Sequence, residues 1–151
     1  MPKKVLLDSK KIDIILNRLV CQLVENHKDF NNTVLIGLQP RGTFLIEKIL
    51  EIFKKNYPSI NIDSGILDFT FFRDDFRRSE KTLKASSTQI NFSVENKNVV
   101  LIDDVLFTGR SIKAAMSSMD SYGRPNSIEL LVLIDRRYKR EIPIQANYCG
   151  A

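Results

Sequence analysis

The 151-residue sequence predicts an α/β fold in three layers, with a mainly parallel central sheet and helices on both faces. Three observations carry this. The short apolar runs TVLIG (Thr33–Gly37), VVLID (Val99–Asp103) and IELLVLID (Ile128–Asp135) read as strands buried on both sides. Stretches with helical spacing alternate with them, as crossovers between parallel strands require. Each strand runs into a polar or glycine-containing segment, and ligands of such folds collect at the carboxyl ends of the strands.

Taken in order, the first helix covers Lys10–Glu25. Ile12, Ile15, Leu16, Leu19, Val20 and Leu23 recur there on one face, with Lys11, Arg18 and Gln22 between them and Asp8 or Ser9 as N-cap. TVLIG then enters the turn QPRG. A second helix follows over Thr43–Lys55, with Phe44, Leu45, Ile49, Leu50 and Phe53 inward, and Pro58 closes that region. Ile60–Phe72 reads as a strand with a bulge or turn at Gly65. Arg73–Ser87 is charged and almost without apolar residues, so it reads as a mobile surface loop. VVLID precedes a helix over Arg110–Ser121, ended by Gly123 and Pro125, and IELLVLID follows. No repeat, low-complexity tract or linker divides the chain, so residues 1–151 read as a single domain.

Composition narrows the function classes. Hydrophobic residues make up 43% and charged residues 27%, as in ordinary globular proteins. No apolar run approaches the roughly 18 residues of a membrane span, so no membrane partner is expected. The N-terminal MPKKVLLDSKK lacks the apolar core of a secretory signal, and the expected compartment is the cytoplasm. Cys21 and Cys149 are far apart and form no CxxC, which excludes a disulfide framework and a thiolate zinc site. His27, the one histidine, sits in the polar ENHKDF and reads as a solvated side chain; a histidine triad or multi-histidine metal site is excluded, and no direct metal ligand set is expected. The net charge of +5 fits plain solubility, a phosphate-rich ligand or nucleic acid, and composition does not choose among them.

The most informative stretch is VVLIDDVLFTGRS (Val99–Ser111). An apolar strand runs into two adjacent carboxylates, Asp103 and Asp104, and then into Thr108-Gly109-Arg110-Ser111 at a helix start. Unpaired N–H groups at a helix N-terminus, a glycine allowing close approach and flanking hydroxyls suit a phosphate. The acceptor-rich carboxylates suit sugar hydroxyls or metal-bound water. Either half alone is better read as a strand end with solvated aspartates or as a capped helix. Both halves in this order describe a site for a ribose 5-phosphate. GLQPRGT (Gly37–Thr43) has P-loop glycine spacing, but Thr43 stands where the P-loop lysine belongs, which disfavours nucleotide hydrolysis. None of the six glycines forms Gly-x-Gly-x-x-Gly, so a dinucleotide fold has no support.

Val99–Ser111 closely resembles the 5-phosphoribosyl diphosphate (PRPP) motif of the type I phosphoribosyltransferases: a hydrophobic strand, two acidic residues, a short run and T-G-[KRT]-[ST]. The resemblance implies the type I fold with a flexible loop over the site, a role for which Arg73–Ser87 fits. It implies that Asp103 and Asp104 bind the ribose hydroxyls, and that Phe107, Thr108, Gly109, Arg110 and Ser111 cradle the 5′-phosphate. Pro40, Arg41 and Gly42 would hold the diphosphate, and Arg41 and Arg73, with Mg²⁺ bound mainly through PRPP and water, would stabilise it as it leaves. Purine transferases of this superfamily usually carry an Asp just before the T-G. Phe107 stands there and cannot transfer a proton.

Gly37–Gly42, TFFRDDFRR (Thr70–Arg78), Val99–Ser111, YGRPNSIELLVLIDRR (Tyr122–Arg137) and EIPIQANYCG (Glu141–Gly150) together resemble the pyrimidine-operon regulator / uracil phosphoribosyltransferase family, PyrR, over nearly the whole chain. That resemblance implies conversion of uracil and PRPP to UMP and diphosphate in pyrimidine salvage. Tyr148 would stack on the uracil, and the Cys149 backbone with Asp135 and Arg136 would read its polar edge. It also implies a homodimer or higher homo-oligomer, and a base cover whose last part falls beyond the YxG at Tyr148–Gly150. A UMP-sensing, RNA-binding attenuator of pyrimidine-operon mRNA is the family's second role and the alternative reading. The first helix offers that role only Lys10, Lys11 and Arg18, diluted by Asp13 and Glu25, while Arg73–Lys84 and Arg136–Arg140 put much of the positive charge near the proposed PRPP site.

Overall fold

In the computed structural model, which describes residues 8–39, 41–68, 90–136 and 141–151, Asp8 opens the first helix. Its carboxylate accepts the Lys11 N–H at 2.8 Å and satisfies one of the donors a helix start leaves over. The elements run α1 (Ser9–His27), β1 (Thr33–Leu38), α2 (Gly42–Asn56), β2 (Asp63–Leu67), β3 (Asn98–Leu106), α3 (Arg110–Met119), a 3-10 turn (Asp120–Tyr122), β4 (Ser127–Asp135) and β5 (Tyr148–Cys149). The described strands form one sheet in the order β2-β1-β3-β4-β5, and every neighbouring pair is parallel.

Strand alternation divides the core into two layers. Leu35, Val100, Ile102 and Leu131 join the buried residues of α1 and α2, including Leu16, Leu19, Leu23, Leu45, Ile49 and Phe53. Val34, Ile36, Val99, Leu101, Leu130 and Val132 join Ile112, Ala115 and Met119 of α3. Helices therefore cover both faces, as the uninterrupted apolar strands require. From β1 the chain crosses through α2 to β2, then returns past β1 to β3. Strand order reverses between β1 and β3, so the carboxyl ends of these two strands frame the crevice in which such sheets bind ligands.

Several elements differ from expectation. The register of β2 against β1 runs unbroken, with Gly65 opposite Ile36, so there is no bulge at Gly65. The strand starts at Asp63 rather than Ile60, and 69–72 as well as the charged stretch Arg73–Ser87 lie outside the described residues. Phe44 is 58% exposed, because the inward stripe of α2 runs through Leu45, Ile46, Ile49 and Phe53; the Lys48 ammonium lies 5.1 Å from its ring centroid. β3 continues through both aspartates to Leu106, and α3 ends at Met119.

His27 is not solvated. It is the last residue of α1, its side chain is 9% exposed, and Nε2 lies 2.5 Å from Glu129 Oε1. Its Nδ1 is 3.0 Å from the Thr33 hydroxyl. The polar neighbours in sequence gave no sign of this, because the partner carboxylate comes from β4. Among the described residues no helix is long and apolar enough to cross a membrane.

Candidate active site

The crevice is built from close backbone packing at the two strand ends. Gly37 of β1 pairs with Ile102 of β3. Gly42, the first residue of α2, is buried against the same place: a Cβ built there would lie 2.3 Å from the Ile102 carbonyl oxygen. A Cβ on Gly37 would meet Ile46 Cγ2 at 3.0 Å and the Gly42 carbonyl oxygen at 3.1 Å. The two glycines of GLQPRG thus let the start of α2 rest directly on β1 and β3. Arg41, exposed, stands at the N-cap of α2.

Directly beyond Ile102, the two carboxylates are fixed by the strand itself. Asp103 Oδ1 accepts the Asp104 N–H at 2.8 Å, and Asp104 Oδ1 accepts the Val105 N–H at 2.8 Å. Burial, and then a hydrogen bond with the Asp104 carboxyl, push Asp103 up to about 7; the Asp104 N–H and the nearby Arg41 charge pull the other way. The structure therefore brings Asp103, Asp104 and Arg41 together, from segments some sixty residues apart, within electrostatic reach.

After Leu106 the chain turns into α3. Gly109 at its N-cap has φ 91°, a left-handed conformation that favours glycine. The Thr108 hydroxyl accepts the Arg110 N–H at 3.2 Å. The N-cap residues Arg41 and Gly109 make no side-chain cap bond, and neither helix has an acidic residue in its first turn. Two helix N-termini, each presenting N–H groups and the positive end of its dipole, thus flank one pair of carboxylates. This arrangement can bind two anionic groups on either side of a polyol.

The turn is braced from the far end of the sheet. The Thr108 carbonyl accepts the N–H groups of Glu141 and Ile142 at 2.8 and 2.9 Å, and the Glu141 carboxylate pairs with the Arg110 guanidinium. The Leu106 carbonyl accepts the Arg136 N–H at 2.8 Å, and the Arg136 guanidinium lies over the Phe107 ring, 4.2 Å from its centroid. Phe107, Thr108, Arg110, Ser111, Asp135 and Arg136 are therefore gathered at one end of the sheet. Pro40 and Arg73 lie outside the described residues.

Two of the expected base contacts, Tyr148 and Cys149, lie in the sheet beside α1. Tyr148 is 2% exposed and belongs to the layer under α1. Its hydroxyl accepts from Asn26 Nδ2 at 2.8 Å, donates to Glu129 at 3.0 Å and lies 3.2 Å from His27 Nε2. No ring face is left for a base, and burial pushes the hydroxyl up to about 12. Cys149 pairs with Val132 within the sheet, and its carbonyl accepts from Arg18 Nη2 at 3.1 Å. The residue beside Asp135 is Ala151, whose carbonyl accepts the Asp135 N–H at 2.8 Å. Sequence reasoning missed Ala151 and the brace by Glu141, which it named only as the first residue of EIPIQANYCG.

A phosphoribosyl transferase domain model matches residues 3–148. The chain is 41% identical over 147 residues to the Bifunctional protein PyrR of Caldicellulosiruptor bescii, covering 97% of this chain and 80% of that one. It is 39% identical over 150 residues to the Bifunctional protein pyrR of Enterococcus faecalis, covering 99% and 83%. In fold it is similar to a hypoxanthine phosphoribosyltransferase from Staphylococcus aureus, with a TM-score of 0.75 at 24% identity over 98% of this chain and 76% of that one. With the phosphoribosyl transferase domain matched over nearly its full length and relatives this similar, the chain belongs to the PyrR family of bifunctional proteins.

Proposed function

We propose that the chain is a uracil phosphoribosyltransferase, which forms UMP and diphosphate from uracil and PRPP. The observation that carries this is the pair of helix N-termini, neither with an acidic residue in its first turn, on either side of Asp103 and Asp104. PRPP has the matching pattern: a phosphate, a ribose with two hydroxyls, and a diphosphate. The α3 N-terminus, with Thr108, Gly109 and Ser111, takes the 5′-phosphate, and Arg110 sits at its rim. Asp103 and Asp104 accept from the ribose hydroxyls. The α2 N-terminus, with Arg41 and Gly42, takes the diphosphate. Asp135 and Arg136 stand at the end of β4, where the base would enter.

The reaction on this reading is positioning plus electrostatics. As diphosphate departs, positive charge develops on the ribose ring and negative charge on the leaving group. The Arg41 guanidinium and the α2 N–H groups stabilise the latter, and the two carboxylates hold the sugar still. The donors present fit a Mg²⁺ ion brought in on the diphosphate, since two carboxylates and ligand oxygens suffice for an ion that keeps its waters. When bound, that ion would neutralise charge on the leaving group.

The test is to incubate the full chain with PRPP, Mg²⁺ and, in turn, uracil, orotate and hypoxanthine. UMP and diphosphate are expected with uracil. Turnover of orotate or hypoxanthine without uracil turnover would overturn the substrate.

The relatives are named bifunctional, and the second role that the resemblance implies is UMP-dependent binding to pyrimidine-operon mRNA. Arg18, one of three basic residues the first helix offers that role, is engaged by the Cys149 and Gly150 carbonyls at 3.1 and 2.9 Å. The enzyme reading therefore leads, and filter binding to a leader hairpin at low salt, with and without UMP, decides the other.

A further inference from the structure

We infer that the Phe107 side chain is a positioning residue for the base: its ring holds the Arg136 guanidinium at the end of β4 and so couples the phosphate turn to base recognition. The inference rests on the reading above in which Arg136 contacts the base. Phe107 belongs by its backbone to the phosphate turn, yet its ring does something the backbone does not. The Arg136 guanidinium lies over that ring, 4.2 Å from the centroid, well inside the range in which an aromatic face attracts a cation. Phe107 is half-buried and Arg136 is exposed, so the ring gives a long side chain facing solvent a fixed platform.

The backbone beneath the pair is already fixed. The Leu106 carbonyl accepts the Arg136 N–H at 2.8 Å, and Leu106 stands opposite Asp135 in the register of β3 and β4. With both backbones set, the ring is what orients the guanidinium among the described residues. A planar guanidinium held flat can offer its N–H edge to a carbonyl oxygen of a pyrimidine, whereas a swinging one loses that order on binding. An aliphatic residue of similar size would fill the same space without attracting the cation. The 5′-phosphate is recognised by N–H groups and hydroxyls of the same turn, which do not involve the ring. The ring should therefore matter to a ligand with a base and be indifferent to one without.

Calorimetric titration of the full chain with UMP and with ribose 5-phosphate separates the two. Phe107→Leu is expected to weaken UMP about 3- to 10-fold, the loss of one partly exposed cation–π contact, and ribose 5-phosphate less than about 2-fold. Phe107→Tyr should bind both as the parent does. In an Arg136→Ala background, Phe107→Leu should add nothing for UMP. Equal weakening of both ligands by Phe107→Leu, or of neither, overturns the inference, as does failure of Phe107→Tyr to restore UMP binding. If Arg136→Ala weakens UMP but Phe107→Leu does not, only the positioning role falls. If Arg136→Ala leaves UMP binding unchanged, the base contact falls and the positioning role with it.

Discussion

Gly42 and the Ile102 carbonyl oxygen are so close that a Cβ on the glycine would sit 2.3 Å from that oxygen. The obstacle is backbone, in the central strand of the sheet, and cannot swing aside. Gly42→Ala must therefore push the start of α2 away from β3, separating Arg41 from the aspartates beyond Ile102. The expected result is a rise of at least about 10-fold in KM for PRPP. Tm should fall by several degrees, the scale of about 1–3 kcal/mol for overpacking in a protein this size. Steady-state kinetics and thermal unfolding check it; a parent-like KM would show that the α2 N-terminus does not hold the diphosphate.

Asp104 is held by the Val105 N–H and lies at the strand end between the two helix starts. If it accepts a ribose hydroxyl, Asp104→Ala removes a charge-assisted hydrogen bond worth about 1.5–3 kcal/mol. The expected loss in kcat/KM for PRPP is about 10- to 100-fold with the far-ultraviolet circular dichroism unchanged. Undiminished turnover would remove the ribose assignment.

The parts of this fold that depend on local pattern were legible in the sequence. The strands containing Leu35, Val100 and Leu131 are continuous apolar runs because helices cover both faces, and the run itself records that. Thr108-Gly109-Arg110-Ser111 was legible because a left-handed glycine at a helix N-cap must be written in one place. The pairing of His27 with Glu129 was not, since the two residues are 102 positions apart and each is ordinary among its neighbours. Tyr148 was misplaced for the same reason: the motif gave its position in the chain but not which face of β5 it takes. That choice was made by Asn26, His27 and Glu129, which offer its hydroxyl partners under α1.

Burial and the Asp104 carboxyl raise Asp103 from 3.8 to about 7. The folded state then binds more protons than the unfolded state between about pH 4 and pH 7, so this residue lowers stability as pH rises through that window. Its penalty is absent below about pH 4 and complete above about pH 7. Asp103→Asn keeps the oxygen that accepts the Asp104 N–H and cannot ionise. The variant should gain Tm relative to the parent as pH is raised from 4 to 8 without ligand. A difference that stays constant across that range would contradict the raised value.

Tyr148 supplies the last prediction, because its two roles make opposite demands on one oxygen. As a platform for uracil it would work through its ring, and Tyr148→Phe would change little. As a core residue it works through its hydroxyl, which takes the Asn26 amide and gives to the Glu129 carboxylate beside the 9%-exposed His27 side chain. Removing that oxygen takes one hydrogen bond from the half-buried Glu129, which keeps His27, and one from the exposed Asn26, at a cost of about 1 kcal/mol. Tyr148→Phe should accordingly lower Tm by a few degrees. UMP affinity and KM for uracil should stay as in the parent, since the hydroxyl lies under α1 and the crevice opens at the carboxyl ends of β1 and β3. An unchanged Tm would show that the hydroxyl carries no such load and would return Tyr148 to the base site.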